Sequence, residues 1–189
     1  MPRHEDKMMT IETRQFSDKI EVRRTGKSNI VSGYAAVFDR LSDDLGGFRE
    51  IIDADAFSEL EQADVRALFN HDPNQVLGRT TAGTLRLDID GHGLRYELDL
   101  PDTTIGRDLA ESIRRGDINQ SSFAFQVADD EWSMQDGYQL RTIKRIGALI
   151  DVSPVTYPAY PDATVSARNK PVSNNLVAVA RMRLLDLNG

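Results

Sequence analysis

Apolar and polar residues alternate at the period of a β-strand along much of this chain, and the helical period shows in only a few windows. From Lys19 to Val37 the alternation is broken once, at Gly26, Lys27 and Ser28, which predicts a hairpin of two short strands. Asp39 to Gly47 contains Ser42, Asp43, Asp44, Gly46 and Gly47 and reads as an exposed loop. Phe48 to Ile52 returns to strand. Asp53 or Asp55 is then placed to accept the free N–H groups of a short helix whose apolar face is Phe57 and Leu60. Val65 to Phe69 predicts a strand ending in Asn70, His71, Asp72, Pro73 and Asn74, because Pro73 disfavours helix for its predecessor. His71 therefore falls where a strand gives way to a loop.

Thr84 to Ile89 and Leu94 to Leu100 alternate around Asp90, Gly91, His92 and Gly93, the strongest hairpin signal in the chain. Thr103 or Thr104 can cap a helix running to about Arg115, with Ile105, Leu109 and Ile113 in one stripe and Gly116 to end it. Ile118 to Val127, Tyr138 to Ile143 and Ala148 to Tyr157 read as further strands. This order predicts an α+β chain that is mainly β, an antiparallel strand barrel or strongly bent sheet wrapped by a few helices. Residues 1–17 read as an N-terminal tail, 18–165 as the folded domain, and 166–189 as a polar linker followed by a helix that either docks on a partner or closes the domain's own core. The stripe of that helix is Val177, Ala180, Leu184 and Leu187.

Composition narrows the chemistry. With 189 residues, 40% hydrophobic and 28% charged, the chain is long enough for one domain with a real core. It has no cysteine, so a disulfide framework, a thiolate zinc site and a cysteine nucleophile are all excluded. A net charge of -7 gives no general basic footprint and predicts no specific nucleic-acid partner. No apolar run reaches the roughly 20 residues that span a bilayer, and Met1 to Thr10 lacks the apolar stretch of a secretion signal. The expectation is a cytoplasmic chain with no membrane partner.

The chain has three histidines, and each can be weighed as a general base. His4 lies in the charged tail and His92 between two glycines of a turn. His71 stands at the end of an apolar strand, where a scaffold commonly presents active groups. On local sequence alone a surface-loop histidine is the favoured reading. Ser121 and Ser122 lie in a strand whose Phe123, Phe125 and Val127 alternate, so Ser121 shares the phenylalanine face and Ser122 the face of Ala124 and Gln126. Ser122 is the better-placed nucleophile, although a pair of locally bonded strand serines gives the same pattern. Asp151 interrupts the apolar run of Ile146, Ala148, Leu149, Ile150 and Val152, and a carboxylate buried there needs a partner. It is the first candidate to orient the histidine, with a place on an exposed strand face as its alternative. Asp72 is the second, with a role in capping the loop turn as its alternative.

Taken in order, Leu68-Phe69-Asn70-His71-Asp72-Pro73, Leu77-Gly78-Arg79, Ser121-Ser122-Phe123-Ala124-Phe125 and Ile150-Asp151-Val152-Ser153-Pro154-Val155-Thr156-Tyr157-Pro158 resemble the prohead proteases of tailed phages, relatives in fold of the herpesvirus assemblins. Gly33-Tyr34-Ala35-Ala36-Val37-Phe38 and Ala56-Phe57 match as well, so the resemblance covers roughly residues 18 to 165. It implies an assemblin-like, seven-stranded type of barrel, and a serine endopeptidase with Ser122 as nucleophile, His71 as base and Asp151 in the third position. No cofactor or metal is implied. Ala124 departs from the glycine that many relatives carry there. The implied substrates are scaffold segments and the major capsid protein precursor inside an assembling prohead in the host cytoplasm, with self-cleavage and room for a homo-oligomer. Gly78-Arg79 and the stretch after Asp151 are candidates for the oxyanion donors. A non-catalytic assembly or scaffold protein of the same fold is the alternative reading. An esterase fits less well, because Gly-x-Ser-x-Gly is absent around Ser122.

Overall fold

A computed structural model of the chain describes residues 10–16, 19–26, 28–58 and 63–157. Its strands are β1 (Ile11–Phe16), β2 (Glu21–Thr25), β3 (Ser28–Val37), β4 (Phe48–Ile52), β5 (Arg66–Phe69), β6 (Asp72–Arg79), β7 (Leu85–Ile89), β8 (Gly93–Asp99), β9 (Gln120–Gln135) and β10 (Tyr138–Val155). One α-helix, α1 (Thr104–Arg115), separates β8 from β9. The hairpins expected around Gly26 and around Asp90 to Gly93 form as β2–β3 and β7–β8. The Thr103 hydroxyl accepts a hydrogen bond from the Gly106 N–H at 3.4 Å, and Gly116 ends α1 at φ 82°, a left-handed conformation that glycine adopts without cost.

Two sheets result. In one the order is β1-β9-β10-β5-β6, with β4 also on β10; in the other it is β2-β3-β8-β7. Among the described residues neither closes on itself, so the expected barrel is replaced by two open sheets. The alternation of side chains determines which residues face inward but not which strands become neighbours, and here β10 carries most of the connectivity. At 18 residues it is long enough to pair antiparallel with β9 along its length while β4 and β5 join it in parallel near its two ends. Asp136 and Gly137, at φ 47° and 87°, close the β9–β10 hairpin with the positive angles of a primed turn.

The core is built from the inward faces of both sheets and the stripe of α1. Val31, Tyr96, Leu98, Phe123, Phe125 and Val152 are fully buried, and Leu109 and Ile113 join them from the helix. Phe123 stacks on Phe125 at 4.5 Å and also meets Phe16 and Phe57. Each such side chain contributes on the order of 1.5–3 kcal/mol on removal from water.

Three expectations are corrected. The short helix over Phe57 and Leu60 is a single 3-10 turn, Ala54–Phe57, capped by the Asp53 carboxylate, and Leu60 lies outside the described residues. Asp72, Pro73 and Asn74, expected in a loop, instead begin strand β6, which tolerates Pro73 because a sheet edge does not require its missing amide hydrogen. Residues 11–16 belong to the sheet rather than to a tail: β1 pairs antiparallel with β9. The charges that made this segment look solvated are neutralised by tertiary partners. Arg14 grips Glu50 through two bonds of 2.7 and 2.9 Å, and Arg141 grips Glu12 through two of 2.7 and 3.0 Å while bonding Asp130 at 2.7 Å. Burial pushes the Glu12 carboxyl up, but the bonds and charges of Arg141 and Arg14 outweigh it and hold the group below the usual carboxylate range. His4 and the linker and helix expected after residue 165 lie outside the described residues.

Candidate active site

The two serines of β9 are divided by strand alternation. Ser121 points into the core, where its Oγ lies 2.8 Å from the Tyr96 hydroxyl. Burial pushes that phenol up to about 12, with the bond to Ser121 working against the shift. Ser122 points to the opposite face. There its neighbours across the β9–β10 ladder are Ser153, directly opposite it, and Asp151, opposite Ala124. All three side chains are buried, Asp151 at 4% exposure and the two serines at 0%.

His71 reaches this face from a two-residue turn. Phe69 pairs with Asp72, so Asn70 and His71 are the central residues of the β5–β6 hairpin, and both have positive φ, 55° and 57°. That is the demand of a primed turn. Asn tolerates it, whereas a histidine held there stores on the order of 1–2 kcal/mol of strain. The turn is fixed from outside. The Asn70 N–H donates to the Pro154 carbonyl at 3.1 Å, the Thr156 N–H donates to Asn70 Oδ1 at 2.8 Å, and Asn70 Nδ2 donates to Thr156 Oγ1 at 3.1 Å. The turn carrying the histidine is thereby tied to the same β10 strand that carries Asp151.

The imidazole bridges the other two side chains. Its Nδ1 is 2.7 Å from Asp151 Oδ1 and its Nε2 is 2.6 Å from Ser122 Oγ. Ser153 donates its hydroxyl proton to the same Asp151 oxygen at 2.6 Å, so the buried carboxylate is held from two directions. Such a chain can hold one histidine tautomer, accept a proton from a hydroxyl and stabilise the imidazolium that forms. The Ser122 hydroxyl has a second neighbour, the carbonyl oxygen of Arg14 on β1, at 3.0 Å.

Other candidates sit elsewhere. Asp72 does not touch the ring; it accepts bonds from the Asn74 N–H, Asn74 Nδ2 and Gln75 Nε2, and the first of these does most to lower its carboxyl from the ordinary value. The Arg79 N–H is taken by Thr84 Oγ1 and the Thr156 N–H by Asn70, which removes both from the set of oxyanion donors. Gly78 has a packing reason instead: a Cβ there would lie 2.5 Å from Leu98 Cδ1 of the other sheet. His92 packs edge-on against Tyr34 at 4.5 Å, in its own turn. Sequence reasoning did not single out Asn70, Ser153 or Arg14. The left-handed preference of Asn was a signal for the first; the other two act through tertiary contacts that leave no local mark.

Among the described residues no helix is long and apolar enough to cross a membrane, and no cluster of three or more acidic or histidine side chains is arranged to hold a metal ion. A family model described as Caudovirus prohead serine protease matches residues 18–177. No curated protein matches the chain. Among solved structures, one described as the bacteriophage T4 capsid assembly protease, gp21, is similar at 10% identity and a TM-score of 0.49, over 76% of this chain and 97% of that one.

Proposed function

Because this chain belongs to the family of caudovirus prohead serine proteases, we propose that its peptidase activity resides in Ser122, His71 and Asp151. The observation that carries the assignment is the bridging imidazole, with Ser122 Oγ and Asp151 Oδ1 at opposite ring nitrogens. His71 Nε2 takes the Ser122 proton as Oγ attacks the carbonyl carbon of a peptide bond, and Asp151 holds the Nδ1 proton throughout. The resulting imidazolium returns its proton to the leaving amine, and the C–N bond breaks. A water molecule, deprotonated by the same imidazole, then releases the acyl group and restores the serine. Ser153 fixes the carboxylate, and the Asn70 clamp fixes the turn that presents the ring.

The substrates of this reading are scaffold segments and the major capsid protein precursor, cut inside the assembling prohead in the host cytoplasm, and the enzyme also cuts itself. The test is to incubate wild-type and Ser122→Ala protein with the cognate shell precursor and follow the fragments by mass spectrometry. Discrete precursor fragments from the wild type and none from the variant are expected. Equal fragmentation by both proteins excludes Ser122 as the nucleophile.

A further inference from the structure

The nucleophile of this reading is not accessible. Ser122 is 0% exposed, and a carbonyl of β1 lies within hydrogen-bond distance of its hydroxyl. β1 runs antiparallel along β9 from Ile11 opposite Gln126 to Phe16 opposite Ser121, which places Gln15 directly across from Ser122 and the Arg14 carbonyl oxygen 3.0 Å from its hydroxyl. We propose that β1 occupies, within the chain, the β9 edge on which an extended substrate peptide must pair to offer its carbonyl to Ser122, and that it holds the site closed until it is displaced. The proposal rests on Ser122 and His71 having the roles given above.

Proton bookkeeping supports it. A serine hydroxyl has one hydrogen, yet both an obligate acceptor, the Arg14 carbonyl, and His71 Nε2 lie within reach, at 3.0 and 2.6 Å. If the hydrogen goes to Arg14, Nε2 must itself carry a hydrogen to bond Oγ, and an imidazole protonated there cannot act as base. In that arrangement β1 both covers the serine and diverts its proton. The slot has the form of a peptide site: a backbone strand pairs with β9 and delivers a carbonyl to Oγ, the manner in which an extended peptide adds to a sheet edge. The strap is also fastened. Arg14 binds Glu50 with two bonds and Glu12 with one, and Arg141 holds Glu12 from below, so side chains on either side of Thr13 anchor the strand. The family match begins at residue 18, so the strap lies outside the matched residues.

The absence of cysteine makes access to position 122 measurable without any enzymatic turnover. Full-length Ser122→Cys protein is treated with iodoacetamide and the alkylation rate followed by mass spectrometry, alone and combined with Arg14→Ala, which removes the bonds to Glu50, or with Glu12→Ala, which removes those to Arg141. Both combinations should react on the order of tenfold faster or more, the shift in an opening equilibrium expected from losing charge-assisted bonds. A synthetic peptide of residues 10–16 added in excess should slow them again. Equal rates with and without the strap changes, or faster rates that the peptide leaves untouched, overturn the proposal. A fluorophosphonate, which needs a nucleophilic serine, is applied in parallel to the same strap variants with Ser122 intact. No adduct there, beside a clear contrast in alkylation, means that the nucleophile assignment has failed while the strap stands.

Discussion

The two faces of β9 place the same functional group in opposite circumstances. Ser121 and Ser122 are adjacent, equally buried and both hydrogen-bonded, yet one meets Tyr96 in the core and the other His71 beneath β1. On the core face the partner is a phenol whose ionisation is pushed up to about 12, so the pair exchanges no proton near neutrality and serves packing around Phe123 and Phe125. On the other face the partner is an imidazole oriented by a buried carboxylate. Burial and hydrogen bonding do not distinguish a serine that only packs from one placed beside a general base. The proton affinity of the partner does, and strand parity decides which serine meets which partner.

The two faces should differ most at the serines themselves. Ser122→Ala should reduce peptide cleavage by about 10⁶-fold, whereas Ser121→Ala should retain measurable turnover, both assayed on a cognate precursor with folding checked by circular dichroism. Equal losses in two folded proteins would remove the distinction between the faces. Asp151→Asn should cost less, about 10⁴-fold, because the ring loses its orienting charge while the serine remains. On the core face the expected loss is in stability: Phe123→Ala removes a ring that touches Phe16, Phe57 and Phe125 and should lower unfolding free energy by about 3–5 kcal/mol in urea titration. A smaller effect is set by pH. The Glu12 carboxyl is held below its ordinary value in the folded chain, so its stabilisation of β1 is complete above the unfolded value, about 4, and fades as pH falls through the lower folded value. Hydrogen-exchange protection of Ile11–Phe16 should therefore weaken on acidification before that of β8. Simultaneous loss in both strands would show that the Glu12 cluster does not govern β1.

The site-bearing strands were legible because local chemistry and tertiary outcome agree there. Alternation through Ser121 to Val127 assigned each serine to its face, and Thr103 and Gly116 bounded α1 closely. The Asn70-His71 turn was visible as the end of a strand, though not as a two-residue hairpin, since the strand that follows begins with Asp72-Pro73-Asn74, residues that usually mark loops. β1 was invisible for a different reason. Glu12 and Arg14 look like solvated charges until Glu50 and Arg141, remote in sequence, are brought against them. The outer half of β9 was missed as well, although Asp136-Gly137 is a strong hairpin signal, because Trp132 and Met134 are exposed and the residues around them carry no inward apolar set. The open sheets in place of a barrel reflect partner choice along β10, which periodicity does not encode.

Whether Ser122 is a nucleophile activated by His71 is measured most directly by the site of a fluorophosphonate adduct. Wild-type protein and His71→Ala are treated with the reagent and digested, and the modified residue is located by tandem mass spectrometry. An adduct on Ser122 is expected in the wild type, formed slowly while β1 is in place, and none in His71→Ala. An adduct on Ser121, or one that forms on Ser122 at the same rate without His71, would contradict that role of Ser122.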